Sequence, residues 1–514
     1  MVGATVKRGE RGSALVLSFV IVVVLAAAAA ALVSLTVVES QARSASLEGE
    51  QAVEDADAAV ALKLLELNDA DDATARTYEG AGRVSTIALE KRGAMLLGKA
   101  RGEIGRESRD VEVVFGRRFA LPFPGAGGGG ALAIYGDPDK AKLKIAGVDK
   151  DLGDDGSAGV VVSDGHDAAG LRPGIPGLAV EGDAFDRIMS GLAKKMLDEK
   201  KAKIPGTVFD GEPVVDVNVY DKKGKYEGTI TTSAVEVDGG QLDYPRVESL
   251  ADSIIASLRS NVMPGATVID TGSKGIDIKG GLTIWGTPFA PRVTVVTGKD
   301  LRVDGGAVVR GSGILIVTGN LNLHHATLEF DGPVIVFGDK DKKSDDPKLH
   351  LHHGTMTING PLLLLGDDSS KTAKLHLHND DKTNDGLATI NGPVLAIAQG
   401  DKKTKAELKA HHGDVEINGV VMLAGDRAKL DVGKDKRDTF RVDGGVVVAV
   451  PPHTKDKTKA DIRLDNGTAI RYDSVEVERS IRALNGLAGQ IGAPEDLFTE
   501  GYRVMSWREP GRAR

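Results

Sequence analysis

Short apolar runs recur along the second half of the chain, each closed by a polar or glycine-containing break. VTVVTG from Val293, ILIVTG from Ile314, VIVFGD from Val334, LLLLGD from Leu362, VLAIAQGD from Val394, VVMLAGD from Val420 and VVVAV from Val446 begin 21, 20, 28, 32, 26 and 26 residues apart. A period in that range marks a stack of coils. Ahead of five runs an alternating strand ends in Asn or Asp followed by Gly: Leu328 and Phe330 before Asp331-Gly332, Met356 and Ile358 before Asn359-Gly360, Ala388 and Ile390 before Asn391-Gly392, Val415 and Ile417 before Asn418-Gly419, Phe440 and Val442 before Asp443-Gly444. Alternation sends each apolar pair to one face, and Asn, Asp and Gly tolerate the positive φ of a corner. A third strand type precedes these, as in LNLHH from Leu321, LHLHH from Leu349 and LHLH from Leu375. Three strand types in fixed order predict a right-handed parallel β-helix. An Asn-Gly step also suits a hairpin, so an antiparallel array of hairpins is the competing reading.

The other strong pattern stands at the start. Ala14 to Val38 carries no charge over 25 residues, and a helix of that length exceeds the roughly 30 Å hydrocarbon thickness of a bilayer. Lys7, Arg8 and Arg11 precede it and Glu39 follows, which orients the N-terminus inward and the bulk of the chain outward. A cleaved secretory signal is the alternative, favoured by the Ala26 to Ala31 tract. Beyond it Val53, Ala56, Val60, Leu64 and Leu67 fall three or four apart, so an amphipathic helix continues towards Asn68.

The segment RGSALVLSFVIVVVLAAAAAALVSLTVVESQARS, from Arg11 to Ser44, resembles the PilX-type N-terminal domain of type IV pilus minor-pilin and assembly proteins. There a basic, Gly-terminated leader runs into an apolar helix that ends in a small polar and acidic patch. The resemblance covers about residues 11–70, and SDGHDAAG from Ser163, the coil repeats and the closing VMSWRE from Val504 are similar in layout to large PilX-type proteins of environmental bacteria. It implies that Gly12 precedes a prepilin-peptidase cut and that Ser13 becomes the mature N-terminus. Ordinary pilins carry a glutamate at the fifth mature position, where this chain has Leu17. The pairing of that carboxylate with a neighbour's terminal amine is then lost.

The organisation expected is mainly β: a cytoplasmic leader over 1–12, a pilin-like transmembrane and amphipathic helix over 13–68, an α+β head or cap region over 69–264, parallel β-helix repeats over 265–452 and a C-terminal helical cap over 453–514. Within the head, Val84 to Ile104 reads as helix and Val111 to Phe115 as strand. Phe185, Ile188, Met189, Leu192 and Met196 line one helix, and Leu250, Ile254, Ile255 and Leu258 another. Asp473 with Glu476 predicts a capped helix through Leu484, stopped at Gly486, which with Trp507 would cover the open end of the stack.

The chain has no cysteine although its bulk should face an oxidising compartment, so packing and ladders must hold it. Its net charge of −9 is spread without a basic face, which argues against nucleic acid as partner. Loops rich in Lys and Asp from Asp339, Asp367, Asn379, Asp401 and Lys434 read as solvated edge protection. Histidines crowd the third strand type. Coils in register would stack His325, His353, His378 and His412 about 4.8 Å apart, a column that could take a divalent transition metal or simply form a structural stack. No carboxylate recurs beside them at a spacing that would fix a tautomer. With 4% aromatics and no catalytic signature, a β-helical polysaccharide-active enzyme is the weaker alternative, and no small-molecule substrate is inferred. The sequence reads as a non-enzymatic, pilin-like structural protein of the cytoplasmic membrane, its bulk outside, with incorporation in surface pili as one destination. Its partners are membrane lipid and other pilin-like subunits or pilus assembly proteins. A cell-surface adhesin or scaffold shares the architecture and differs in partner.

Overall fold

The computed structural model describes residues 10–70 and 74–508 except 81–82, 93–94, 105–106, 120–122, 125–128, 137, 146–162, 190–208, 221–225, 238–243, 261–266, 271–274, 287–291, 298–299, 339–345, 367–371, 379–385, 400–403, 434–438, 453–457, 465–466, 492 and 494–498. For most of 10–43 it describes the backbone alone. The chain forms two compact units, one from 1–118 with 500–514 and the other from 119–499. The Lys/Asp-rich loops and the leader up to residue 9 lie outside the described residues.

In the first unit helix α1 (Glu10–Ala70) runs unbroken through the uncharged stretch and the amphipathic one. Gly12 and Ser13 stand in its first turns. From Ala52 onward one stripe is buried, with Ala56, Ala59, Val60 and Leu67 at its centre. Strands β1 (Arg76–Gly80), β2 (Arg83–Arg92), β3 (Met95–Ile104) and β4 (Glu107–Phe119) form an antiparallel meander, with Thr499–Arg508 beside β4. Ile87, Leu96, Ala100, Val111, Val113 and Phe115 meet the stripe. Gly102 allows the close approach, since a Cβ there would lie 1.9 Å from the Ala52 carbonyl oxygen. The stretch from Val84 to Ile104, read as helix, is therefore β2 and β3; its Ala, Leu, Glu and Lys favour helix locally, but pairing along a long meander overrides that preference. Where side chains near the start of α1 are described they are exposed: Phe19 at 68%, Ile21 at 49% and Val22 at 62%. Among the described residues no helix is long and apolar enough to cross a membrane, and most side chains of Ala14 to Val38 lie outside that set.

The second unit is a parallel β-solenoid. Its apolar rungs stack in one continuous register, Thr267, Thr294, Leu315, Val334, Leu362, Val394, Val421 and Val446 each opposite the next. The hairpin array is thereby excluded. The other two strand types stack in the same way, and the Asn/Asp corners form a side-chain ladder. Asn359 donates to Asp331 at 2.6 Å, Asn391 to Asn359 at 2.7 Å and Asn418 to Asn391 at 2.8 Å. Asn serves hydrogen bonding here; the positive φ falls to Gly332 and Gly444. A Cβ on Gly392 would stand 2.5 Å from the Gly360 carbonyl oxygen, so the corner column has no room for side chains.

The stack does not end where the repeats end. Strands β5 (Leu132–Tyr135), β6 (Lys140–Ile145) and β7 (Ser163–Asp164) pair with Val446–Ala449, Lys459–Leu464 and Thr468–Arg471; β8 (Leu178–Glu181) and β9 (Phe209–Asp210) add the next coil, and Ala234–Val237 lies on β8. Part of the 69–264 region is thus solenoid, laid on the C-terminal coil. A helical turn over 184–189 buries Phe185, Ile188 and Met189 in the inner core at that end.

Rung residues alternate between two cores. Leu315, Val336, Leu364 and Leu423 point inward with residues of the other strands, whereas Ile316, Ile335, Leu363 and Ile397 point outward beneath helices α2 (Tyr244–Ser260) and α3 (Ser474–Gln490). That two-sided burial is why rungs are apolar throughout. Asp473 caps α3 as expected, accepting from the N–H groups of Val475 and Glu476. The helix nevertheless continues past Gly486 to Gln490. It covers the outer face of the rung sheet, not the end of the stack, and Trp507 stands on the strand beside β4.

Truncating Leu250 on α2 or Leu484 on α3 to alanine should cost about 2–5 kcal/mol each, as expected of buried leucines. Thermal denaturation checks this; an unchanged midpoint in both would show that the helices do not hold the outer face.

Candidate functional site

The side of the solenoid away from α2 and α3 carries the third strand type. Leu321, Leu323, Leu349, Leu351, Leu375, Leu377 and Leu408 enter the inner core, so the residues between them project outward. Register sets Asp304, His324, His352, His378 and His411 in one column. A second column follows at the corner, where His325, His353 and His412 adopt φ of 46°, 52° and 57°. Histidine is among the few non-glycine residues enriched in that region.

The two columns pack ring on ring. His324 and His352 stack with centroids 4.9 Å apart and His325 and His353 at 4.7 Å, while within a coil the rings meet edge to face, at 4.5 Å for His324 and His325 and 4.3 Å for His352 and His353. Of the four histidines read as one column, His325 and His353 stand together. His412 shares their corner conformation, and His378 belongs to the adjacent column, opposite His352 and His411. The His378 side chain lies outside the described residues. Among the described residues no three imidazoles bring ring nitrogens within 4.8 Å of one another; the one group of three whose ligand atoms, nitrogen or carboxylate oxygen, lie that close is Asp164, His166 and Asp210.

Carboxylates do hold the histidines, but from neighbouring coils. His324 Nδ1 lies 2.9 Å from Asp304 Oδ1, His376 Nε2 3.2 Å from Glu407 Oε2, and His411 Nε2 3.4 Å from Asp431 Oδ1. Glu407, 6% exposed, also meets Lys405 at 2.9 Å and Lys429 at 3.2 Å. Burial alone would push the Glu407 carboxyl up, but the bonds from His376 and Lys405 outweigh it and hold it well below the usual carboxylate range. Burial lowers the His376 imidazole against the pull of Glu407. The close approach of the His411 imidazole, with the hydrogen bond from Lys429, holds Asp431 low. These contacts join coils 20 to 31 residues apart in sequence.

The SDGHDAAG segment divides into two roles. Asp167 accepts from the N–H groups of Ala169, Leu171 and Arg172 and from the N–H and hydroxyl of Ser474, which seats the start of α3 on the solenoid. Arg172 adds an ion pair to Glu478. Asp164 and His166 face Asp210 instead.

Replacing Glu407 with Gln leaves Lys405 and Lys429 short of a shared anion and should cost about 2 kcal/mol at neutral pH. Both shifts have one sign. A depressed carboxylate and a depressed imidazole stabilise the fold above their unfolded values, so stability falls first as pH drops below about 6.5 and again below about 4.3. Thermal melts across that range should show the second decline reduced in Glu407→Gln; an identical profile would rule the network out as its source.

No protein-family model matches the chain, and no curated protein does. Among solved structures the chain is similar to the competence-associated pilin ComZ from Thermus thermophilus, at 12% identity over 90% of this chain and 96% of that one, with a TM-score of 0.18. A likeness at that level carries no argument about fold or function.

Proposed function

We propose that this is a non-enzymatic, membrane-anchored, pilin-like structural protein, a minor-pilin or type IV pilus assembly component that presents its β-solenoid outside the cytoplasmic membrane. One observation carries the reading. α1 buries the stripe of its later half on an antiparallel meander, while the earlier half exposes Phe19, Ile21 and Val22 and contains the uncharged stretch from Ala14 to Val38. An apolar helical surface of that length requires lipid or like helices around it. The solenoid suits display: its apolar rung sheet is covered by α2 and α3, and its other described face is a field of paired polar side chains. The whole solenoid lies, in chain order, between β4 and the strand Thr499–Arg508 of the same meander, an insertion that leaves the helix-and-meander unit complete.

Protease added to spheroplasts expressing the full chain should digest the part after Glu39 and spare the anchor; protection of the entire chain would overturn the topology. The leucine at position 17 gives a second expectation. Ser13 as mature N-terminus would place Leu17 where a pairing carboxylate usually stands, so Leu17→Glu should raise recovery in sheared surface filaments. Abundant wild-type protein in filaments with no gain on substitution would contradict it.

A further inference from the structure

β7 and β9 pair in parallel with Asp164 opposite Asp210, so two carboxylates leave the same side of successive coils. His166 folds back over them. Its N–H donates to Asp164 Oδ1 at 2.9 Å, and its Nδ1 lies 3.0 Å from that oxygen and 3.9 Å from Asp210 Oδ1. The backbone beneath is tightly held: the Gly165 N–H donates to the Asp210 carbonyl at 2.8 Å, and the Gly211 N–H to Asp210 Oδ1 at 2.9 Å. A Cβ on Gly165 would stand 1.8 Å from the Ile175 carbonyl oxygen, so the two strand ends are pressed against the chain behind them. Asp167 takes the donors of the loop and of α3, and Asp164, His166 and Asp210 face one another and solvent, with side chains 37%, 53% and 39% exposed.

We propose that Asp164, His166 and Asp210 bind a divalent first-row transition ion through one imidazole nitrogen and two carboxylate oxygens, with water completing its shell. Two donors bonded at about 2.1 Å lie about 3.0 Å apart when adjacent around an ion and up to about 4.2 Å when opposite. The separations of 3.0 and 3.9 Å fall within those limits. Two anionic oxygens supply charge, and the single imidazole shifts preference from Ca²⁺ towards Mn²⁺, Fe²⁺ and Zn²⁺. Among the described residues the stacked histidines and their carboxylates form no second group of three ligand atoms within 4.8 Å, so they should take up Mn²⁺ poorly, which separates the two places by choice of probe. Bound metal would tie the loop after β7 to β9, joining the last coils of the stack. The inference is independent of the membrane reading.

The test is a Mn²⁺ titration of the full chain in detergent, followed by electron paramagnetic resonance, with thermal melting alongside. One saturable site per chain is expected, lost in His166→Ala and in Asp210→Asn, kept in His353→Ala, displaced by Zn²⁺ more readily than by Ca²⁺, and accompanied by a higher melting temperature. His166→Gln, altered at a half-exposed side chain, replaces Asp210→Asn if the latter does not fold. Unsaturable uptake, saturable binding that survives loss of His166, or displacement by Ca²⁺ as effective as by Zn²⁺ would each overturn the assignment.

Discussion

The rung sheet of the solenoid is apolar on both faces, and the arrangement of the second unit follows from the need to bury both. Inward side chains need the other two strand types to close the coil around them, and those strands supply Leu321, Leu349, Leu375 and their neighbours. Outward side chains such as Ile335 and Leu363 would face water without α2 and α3. The helices are fastened by specific bonds as well as by area. Gln399 Nε2 donates to the Glu248 carbonyl at 3.0 Å, and the Val420 N–H donates to Ser480 Oγ at 3.1 Å.

The same constraint explains a threading that is not sequential. The chain enters the stack at β5, against the coil that it completes only some three hundred residues later at Val446. After Ala234–Val237 it must reach Thr267, at the other end of the register. α2 makes that passage over the outer face: its start lies by Asp426 and its Glu248 carbonyl by Gln399. Seventeen residues of helix cover about 25 Å, or about five coils at 4.8 Å. The connection that returns the chain is also the cover of the exposed sheet. Nearest-neighbour stacking makes most contacts local to adjacent coils, but the joint between Val446 and Leu132 links distant parts of the sequence and must await both.

Local pattern was enough to read the coils from Val293 to Val446, because apolar runs and Asn/Asp-Gly corners recur within a few tens of residues. It was not enough for β5 and β8. LAIY at Leu132 and LAVE at Leu178 are short and 46 residues apart, without the corner motif, so their membership rests on long-range register alone. The histidine columns illustrate a smaller version. Counting the last histidine of each LHLHH-like run put His378 beside His353, whereas aligning the inward leucines, Leu351 with Leu377, sets it beside His352. The leucines carry that information because a slip of one residue would turn them to solvent. Asp304, Glu407 and Asp431 are not legible beside their histidines in the sequence for a related reason: each reaches its histidine from the adjacent coil, at separations that local spacing does not sample. The trio of Asp164, His166 and Asp210 was half visible in SDGHDAAG, but Asp210 joins it only through the pairing of β7 with β9.

On the polar face, stacking in register sets like against like unless the sequence alternates. Along one outward column Lys348, Lys374, Glu407, Lys429, Asp461 and Lys142 succeed one another, and along the next His376, Lys409, Asp431, Arg463 and Lys144. Lysine above lysine is unfavourable, as the lowered Lys348 shows, with burial and the charge of Lys374 both acting on it. From Glu407 onward the first column alternates in sign. Glu407 sits opposite Lys374 on one side and Lys429 on the other, and Asp431 lies between Lys409 and Arg463. A slip of one residue would put these charges into the leucine core and the leucines into water, and a slip of two would move Glu407 and Asp431 away from their cationic partners. Alternation on the outside therefore fixes along the strand what the apolar core fixes only to within a period of two.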